Sequence, residues 1–86
     1  MTPEPAACRM VIYVQPEGER PVNGTRCHPA VITRSWSKDE GGAQNLVVFF
    51  DAHGGEPRTS VPLFSSPDAV PEDRRANGHC YWPPRA

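Results

Sequence analysis

The sequence predicts an all-β protein: a small five-stranded antiparallel SH3-like barrel, with an open sheet or a two-layer sandwich as the alternative. Three observations lead there. The chain has 86 residues, enough for one small domain with a thin core. Eleven prolines and seven glycines make up nearly twice the usual share of roughly 12%, which disfavours long helices. The apolar residues fall into five short runs separated by polar, turn-rich stretches.

Taken in order, Thr2–Ala7 reads as a loose arm, and residues 1–86 as a single β domain behind it. The first strand is "CRMVIYV", Cys8–Val14, with Met10, Ile12 and Val14 on one face and Arg9, Val11 and Tyr13 on the other. "QPEGERPVNG", Gln15–Gly24, is turn chemistry throughout. The second strand is "HPAVITRSW", His28–Trp36, with Ala30, Ile32, Arg34 and Trp36 predicted to share a face. Pro29 lacks an N–H and belongs at a strand start or edge. "SKDEGGAQ", Ser37–Gln44, reads as a polar loop tip.

"NLVVFFD", Asn45–Asp51, is the strongest strand signal and is apolar on both faces, which suits the centre of a small barrel. "AHGGEP", Ala52–Pro57, is a turn, and "RTSVPLF", Arg58–Phe64, a fourth strand. "SSPDAVPEDRRANG", Ser65–Gly78, is the longest loop, with one helical turn expected near Pro71–Ala76. "HCYW", His79–Trp82, makes a short fifth strand that the following prolines stop.

Charge excludes some functions. The formal net charge is −1, with nine basic and ten acidic residues and no basic stripe. A protein that grips long nucleic acid needs such a stripe, because phosphate contacts supply most of its affinity. A small phosphorylated ligand needs only a few local cations. No apolar run approaches the ~18 residues of a membrane span, so no membrane partner is expected. The opening "MTPEPAACRM" has neither the basic nor the apolar segment of a signal peptide. With Cys8, Cys27 and Cys80 an odd set, reduced thiols in the cytoplasm are the expectation.

Catalytic and metal patterns are weak. Cys27-His28 and His79-Cys80 supply four candidate zinc donors. Structural zinc sites space paired ligands two to four residues apart, and adjacent strand residues point to opposite faces, so no metal is predicted. "HGG", His53–Gly55, resembles an oxyanion turn, but no G-x-S-x-G nucleophile accompanies it. Asp39-Glu40 and Glu72-Asp73 read as solvated loop acids, and "PDAVP", Pro67–Pro71, as a rigid turn. No nucleophile, base and orienting group emerge together. The expectation is a protein that is not an enzyme and carries no cofactor.

Aromatic residues are the better lead. Seven rings, at Tyr13, Trp36, Phe49, Phe50, Phe64, Tyr81 and Trp82, exceed what so small a core needs. If strand ends meet, Trp36, Tyr81 and Trp82 frame a cleft with Arg34 beside it. The candidate ligand-binding set is therefore Trp36, Tyr81 and Trp82 for stacking, Arg34 for phosphate, and Asn45 and His79 for base or ribose edges. The competing reading makes the same rings core or protein-interface anchors.

Tyr13, Pro29, Ala30, Trp36, Asn45, Leu46, Phe49, Asp51, Ser60, Val61, Trp82 and Pro83, in that order, form a pattern that resembles a family of very short phage and prophage proteins. The likeness runs from Val11 to Pro83. Ile12 stands where the pattern has His, Ala52 where it has Gly, and Cys80-Tyr81 where it has Trp-His, which puts contacts from those positions in doubt. Small phage proteins of this kind include oligomeric sponges that sequester cyclic oligonucleotide or cyclic ADP-ribose signals of host immunity. The resemblance implies a non-catalytic, homo-oligomeric nucleotide-binding protein of the host cytoplasm. A virion component or protein-interaction module is the alternative.

Overall fold

The computed structural model describes residues 4–52 and 54–84. Five strands close into one barrel in the order β1-β2-β3-β4-β5: β1 Met10–Val14, β2 Cys27–Ser35, β3 Gly42–Phe50, β4 Gly54–Phe64 and β5 His79–Tyr81. The small SH3-like barrel expected from the sequence is the fold. A long excursion joins β1 to β2, β2–β3–β4 form a meander, and short 3-10 turns at Pro67–Ala69 and Glu72–Arg74 precede β5. The second lies within the predicted helical turn. Among the described residues, no helix is long and apolar enough to cross a membrane.

One seam departs from the antiparallel expectation. β4 and β5 pair in parallel, Leu63 opposite Cys80 and Phe64 opposite Tyr81, while the other four pairings are antiparallel. The reason is parity. Strands that alternate direction around a closed barrel meet correctly only when their number is even, so five strands force one parallel seam. A parallel pair needs a long connection, and the fourteen residues between Phe64 and His79 provide it.

Alternation fills the interior. Val11 and Tyr13 of β1, Ala30 and Ile32 of β2, Leu46, Val48 and Phe50 of β3, and Val61 and Leu63 of β4 point inward, with Cys80 and Trp82 closing the set. Phe64, Val70 and His79 are also buried but lie outside this cluster. Phe64 and His79 meet edge to face at 6.3 Å. They form a satellite core under the 65–78 loop.

The loops are held by specific bonds. Arg26 organises the β1–β2 excursion: its guanidinium donates to the carbonyls of Pro16 at 2.8 Å, Glu19 at 3.0 Å and Glu17 at 3.3 Å. Asn23 and Gly24 both adopt positive φ, 50° and 80°, and Val22 bridges Thr25, the arrangement of a tight hairpin turn. Pro5 is buried, so the arm expected to be loose is seated on the barrel at that residue.

Candidate functional site

Two bulges decide where the predicted site residues point. On β2, Ile32 pairs with Leu46 and Arg34 with Asn45, which leaves Thr33 as an extra residue. On β4, Val61 pairs with Gln44 and Arg58 with Leu46, so Thr59 and Ser60 oppose Asn45 alone. Asn45 sits between the two irregularities. Its Oδ1 accepts from the Ser60 amide at 3.2 Å, and its carbonyl accepts from Thr33 Oγ1 at 3.1 Å. Ser60 itself has φ of 54°, a left-handed conformation found in one class of β-bulge. Asn45 is thus half-buried and engaged in fixing the bulges.

The β2 bulge changes the facing of Arg34 and Trp36. Simple alternation puts them on the Ala30–Ile32 side, which is the core. The inserted residue breaks that phase, and both side chains stand in solvent, Trp36 at 57% exposure. The Arg34 guanidinium carbon lies 4.0 Å from the Trp36 ring centroid, a cation–π contact. The Trp36 amide donates to the Ala43 carbonyl at 3.0 Å, which ties the base of the ring to β3.

The other three candidates lie on or just after β5. Trp82 is 8% exposed and belongs to the barrel core. His79 is buried, and its Nδ1 donates to the Asn77 carbonyl at 2.7 Å. Tyr81 is half-buried on the outer surface, opposite Ile12, with its hydroxyl 3.9 Å from Cys27 Sγ. Burial, with Cys27 beside it, pushes the Tyr81 hydroxyl pKa above its ordinary value. The six residues therefore do not frame one cleft. Arg34, Trp36 and Asn45 share the β2–β3 end, while His79 and Trp82 are packed inside.

A cavity of about 210 Å³ opens at that end of the barrel. It is lined by Trp82, Leu63 and Pro5, and by Lys38, Asp39 and Glu40 of the β2–β3 loop. Trp82 and the loop that follows Trp36 thus meet, although Trp36 stays outside. The Glu40 carboxylate clamps this loop to β4's end, accepting from the Ser65 amide at 2.7 Å and from its hydroxyl at 2.8 Å. Lys38 pairs with Glu4 at 3.5 Å. Both are exposed, so that ion pair contributes little. Next to the loop, Gln44 is fully buried. Its amide donates to the Ser37 carbonyl at 2.7 Å, and its Oε1 lacks a protein partner.

The opposite end holds a polar network that sequence reasoning missed. His28 is 2% exposed, and its Nε2 lies 2.9 Å from Gln15 Oε1. Gln15 Nε2 donates onward to the Arg20 carbonyl at 3.2 Å, so Oε1 accepts and His28 Nε2 donates. The His28 ring packs on Phe50 at 4.6 Å. Arg58 lies 5.3 Å from the centroid of Phe50 and reaches Glu56 at 3.6 Å. Burial, partly offset by the Arg58 hydrogen bond, raises the Tyr13 pKa. A Gln that opens a turn-rich stretch directly after a strand carries no signal that it will turn inward.

The four zinc donors considered above diverge, as strand alternation requires. Cys27 is exposed, His28 and Cys80 face the interior, and His79 lies in the satellite core. Among the described residues, no three of His, Cys, Asp or Glu converge as metal ligands. His53 of the "HGG" turn lies outside the described residues. The Cys80 thiol is pushed up to about 12 by burial, which makes it unreactive at neutral pH. Comparison with protein-family models, with curated proteins and with solved structures returns no match for this chain.

Proposed function

We propose that this protein is a non-catalytic sponge of phage origin that binds a small nucleotide signal through Trp36 and Arg34, acting as a homo-oligomer in the host cytoplasm. The observation that carries the reading is the exposed Trp36 ring with the Arg34 guanidinium 4.0 Å from its centroid. A flat, π-rich plate with a fixed cation suits a base with a nearby phosphate. The cation–π contact and the bulge hold the pair in place before a ligand arrives, which lowers the ordering cost of binding.

Magnitudes then require more than one subunit. One stacked base is worth about 1–3 kcal/mol and one charge-assisted hydrogen bond about 1.5–3 kcal/mol. Nanomolar sequestration needs about −12 kcal/mol. A single pair falls well short, and two pairs on one ligand approach the requirement. The 210 Å³ cavity is also below the usual ligand-pocket range of about 300–1,000 Å³, so a whole dinucleotide does not fit within it.

A second reading takes the same pair as an anchor for a protein partner, in a virion or on a host protein. It is favoured by the pair's position on an open surface outside the cavity, and Trp and Arg lead among interface hot-spot residues. Fluorescence titration separates the two. Under the sponge reading, cyclic dinucleotides, cyclic trinucleotides or ADP-ribose derivatives quench Trp36 emission saturably, and Trp36→Ala abolishes the response. No response across that panel moves the function to a protein partner.

A further inference from the structure

The sequence holds two Asn-Gly pairs, Asn23-Gly24 and Asn77-Gly78. Such a pair can react with itself: the peptide nitrogen of the glycine attacks the asparagine side-chain carbon Cγ, and a residue without a Cβ leaves that approach open. The fold treats the two pairs differently. At Asn23-Gly24, Val22 and Thr25 exchange both backbone bonds across the turn, at 3.2 and 3.1 Å. The Asn23 amide donates to the Asp51 carboxylate at 3.0 Å and to the Asp51 carbonyl at 3.3 Å. Cyclisation there breaks the side-chain bonds and builds a negative charge beside Asp51, which opposes it.

Asn77-Gly78 has the reverse arrangement. Asn77 is exposed, and among the described residues its side chain makes no hydrogen bond. Its backbone is held instead. The Asn77 amide donates to the Arg74 carbonyl at 3.1 Å, and the Ala76 carbonyl accepts from the Glu17 amide at 2.9 Å. The Asn77 carbonyl accepts from His79 Nδ1 at 2.7 Å. That carbonyl belongs to the same peptide group as the Gly78 nitrogen. When the nitrogen loses its proton, resonance shares the charge with this oxygen, where the buried imidazole already donates. A hydrogen bond to an ionised acceptor is roughly twice as strong as one to a neutral acceptor. His79 therefore favours the deprotonated, attacking form of the peptide over its resting form.

We infer that Asn77 is a self-modification site, at which the chain forms an internal succinimide with His79 as the positioning residue. Solvent base takes the Gly78 amide proton. The nitrogen bonds to Asn77 Cγ, the Cγ–Nδ2 bond breaks, and Nδ2 leaves as ammonia with a proton supplied by water. A water molecule then opens the ring at either of its carbonyls, leaving aspartate or isoaspartate. Nothing is oxidised or reduced. The product adds one negative charge to a chain of formal charge −1. Isoaspartate also inserts an extra backbone carbon just before β5, where His79 and Cys80 are both buried. The inference is independent of the proposed ligand.

Peptide mapping by mass spectrometry tests it, on chains aged in mildly alkaline buffer with and without urea. Unfolded in urea, the two pairs are expected to react at comparable rates. In the folded wild type Asn77 is expected to react at least about tenfold faster than Asn23, and folded His79→Leu to slow Asn77 about tenfold. His79→Asn, which keeps a donor near the Nδ1 position, is expected to restore most of that rate, a rescue that a merely structural role for His79 would not give. In urea neither substitution is expected to change the rate at Asn77. The wild-type comparison needs no variant, so a substitution that fails to fold leaves the inference open to refutation. A folded wild type that spares both pairs, or in which Asn23 reacts as fast as Asn77, overturns it. So does a folded His79→Leu chain whose Asn77 reacts at the wild-type rate.

Discussion

Trp36 and Trp82 look alike in the sequence, each closing an apolar run, yet they end in opposite environments. The difference comes from one inserted residue on β2, which nothing in the local composition announces. The structure thus separates a ring that packs the core from a ring that faces solvent. Trp82→Ala is expected to cost about 3–5 kcal/mol, read as a large fall in Tm. Trp36→Ala is expected to stay within about 0.5 kcal/mol of wild type. Equal losses for both would contradict this assignment. Cys80 makes a second residue-level test. Its thiol holds its proton up to about pH 12 in the folded chain, against 9.0 for the free group. Stability is then full below pH 9 and falls as pH rises toward 12, because the unfolded chain gains an ionised thiol. The slope is at most about 1.4 kcal/mol per pH unit. Cys80→Ala should lessen the fall of the thermal midpoint over pH 9–10, the remaining fall coming from Tyr13 and Tyr81, whose raised groups begin to cost stability as the unfolded tyrosines ionise toward pH 10.

The strands were legible because their signal is the period of apolar residues, and all five were located. Their ends were not. β3 begins at Gly42 and β4 at Gly54, within stretches that read as turns, because cross-strand hydrogen bonds extend a ladder through residues with low strand preference. The parallel β4–β5 seam follows from the odd strand count and was open to deduction. Bulges were not, since an extra residue leaves composition unchanged and shifts only the phase. Asn45 was singled out as a ligand contact on residue type, while the bonds it makes are to Ser60 and Thr33. Asn45→Ala removes the acceptor for the Ser60 amide and is expected to destabilise by about 1 kcal/mol. Chemical denaturation checks this; the Thr33 bond to the backbone carbonyl of residue 45 is kept, so the β2 bulge under Arg34 and Trp36 is expected to hold. An unchanged midpoint would mean that the β4 bulge holds without its Asn.

A barrel this small has little core to spare, so an apolar outer face is costly unless something covers it. The sequence displayed that surplus as a strand apolar on both sides, read as a sign of centrality. β3 is indeed paired on both edges, but among the described residues its outward Phe49 stays 44% exposed. The proposed ligand site would need more than one subunit, since one Arg34–Trp36 pair is too weak alone. At this scale the proposed ligand reading predicts an oligomer holding a nucleotide between subunits. Native mass spectrometry, with a panel of cyclic dinucleotides, cyclic trinucleotides and ADP-ribose derivatives, tests this most directly. The account predicts an oligomer that retains one of these nucleotides unaltered at fixed stoichiometry, and loses it in Trp36→Ala while the oligomer persists. Retention of no nucleotide by the wild type, or retention undiminished in Trp36→Ala, would contradict it.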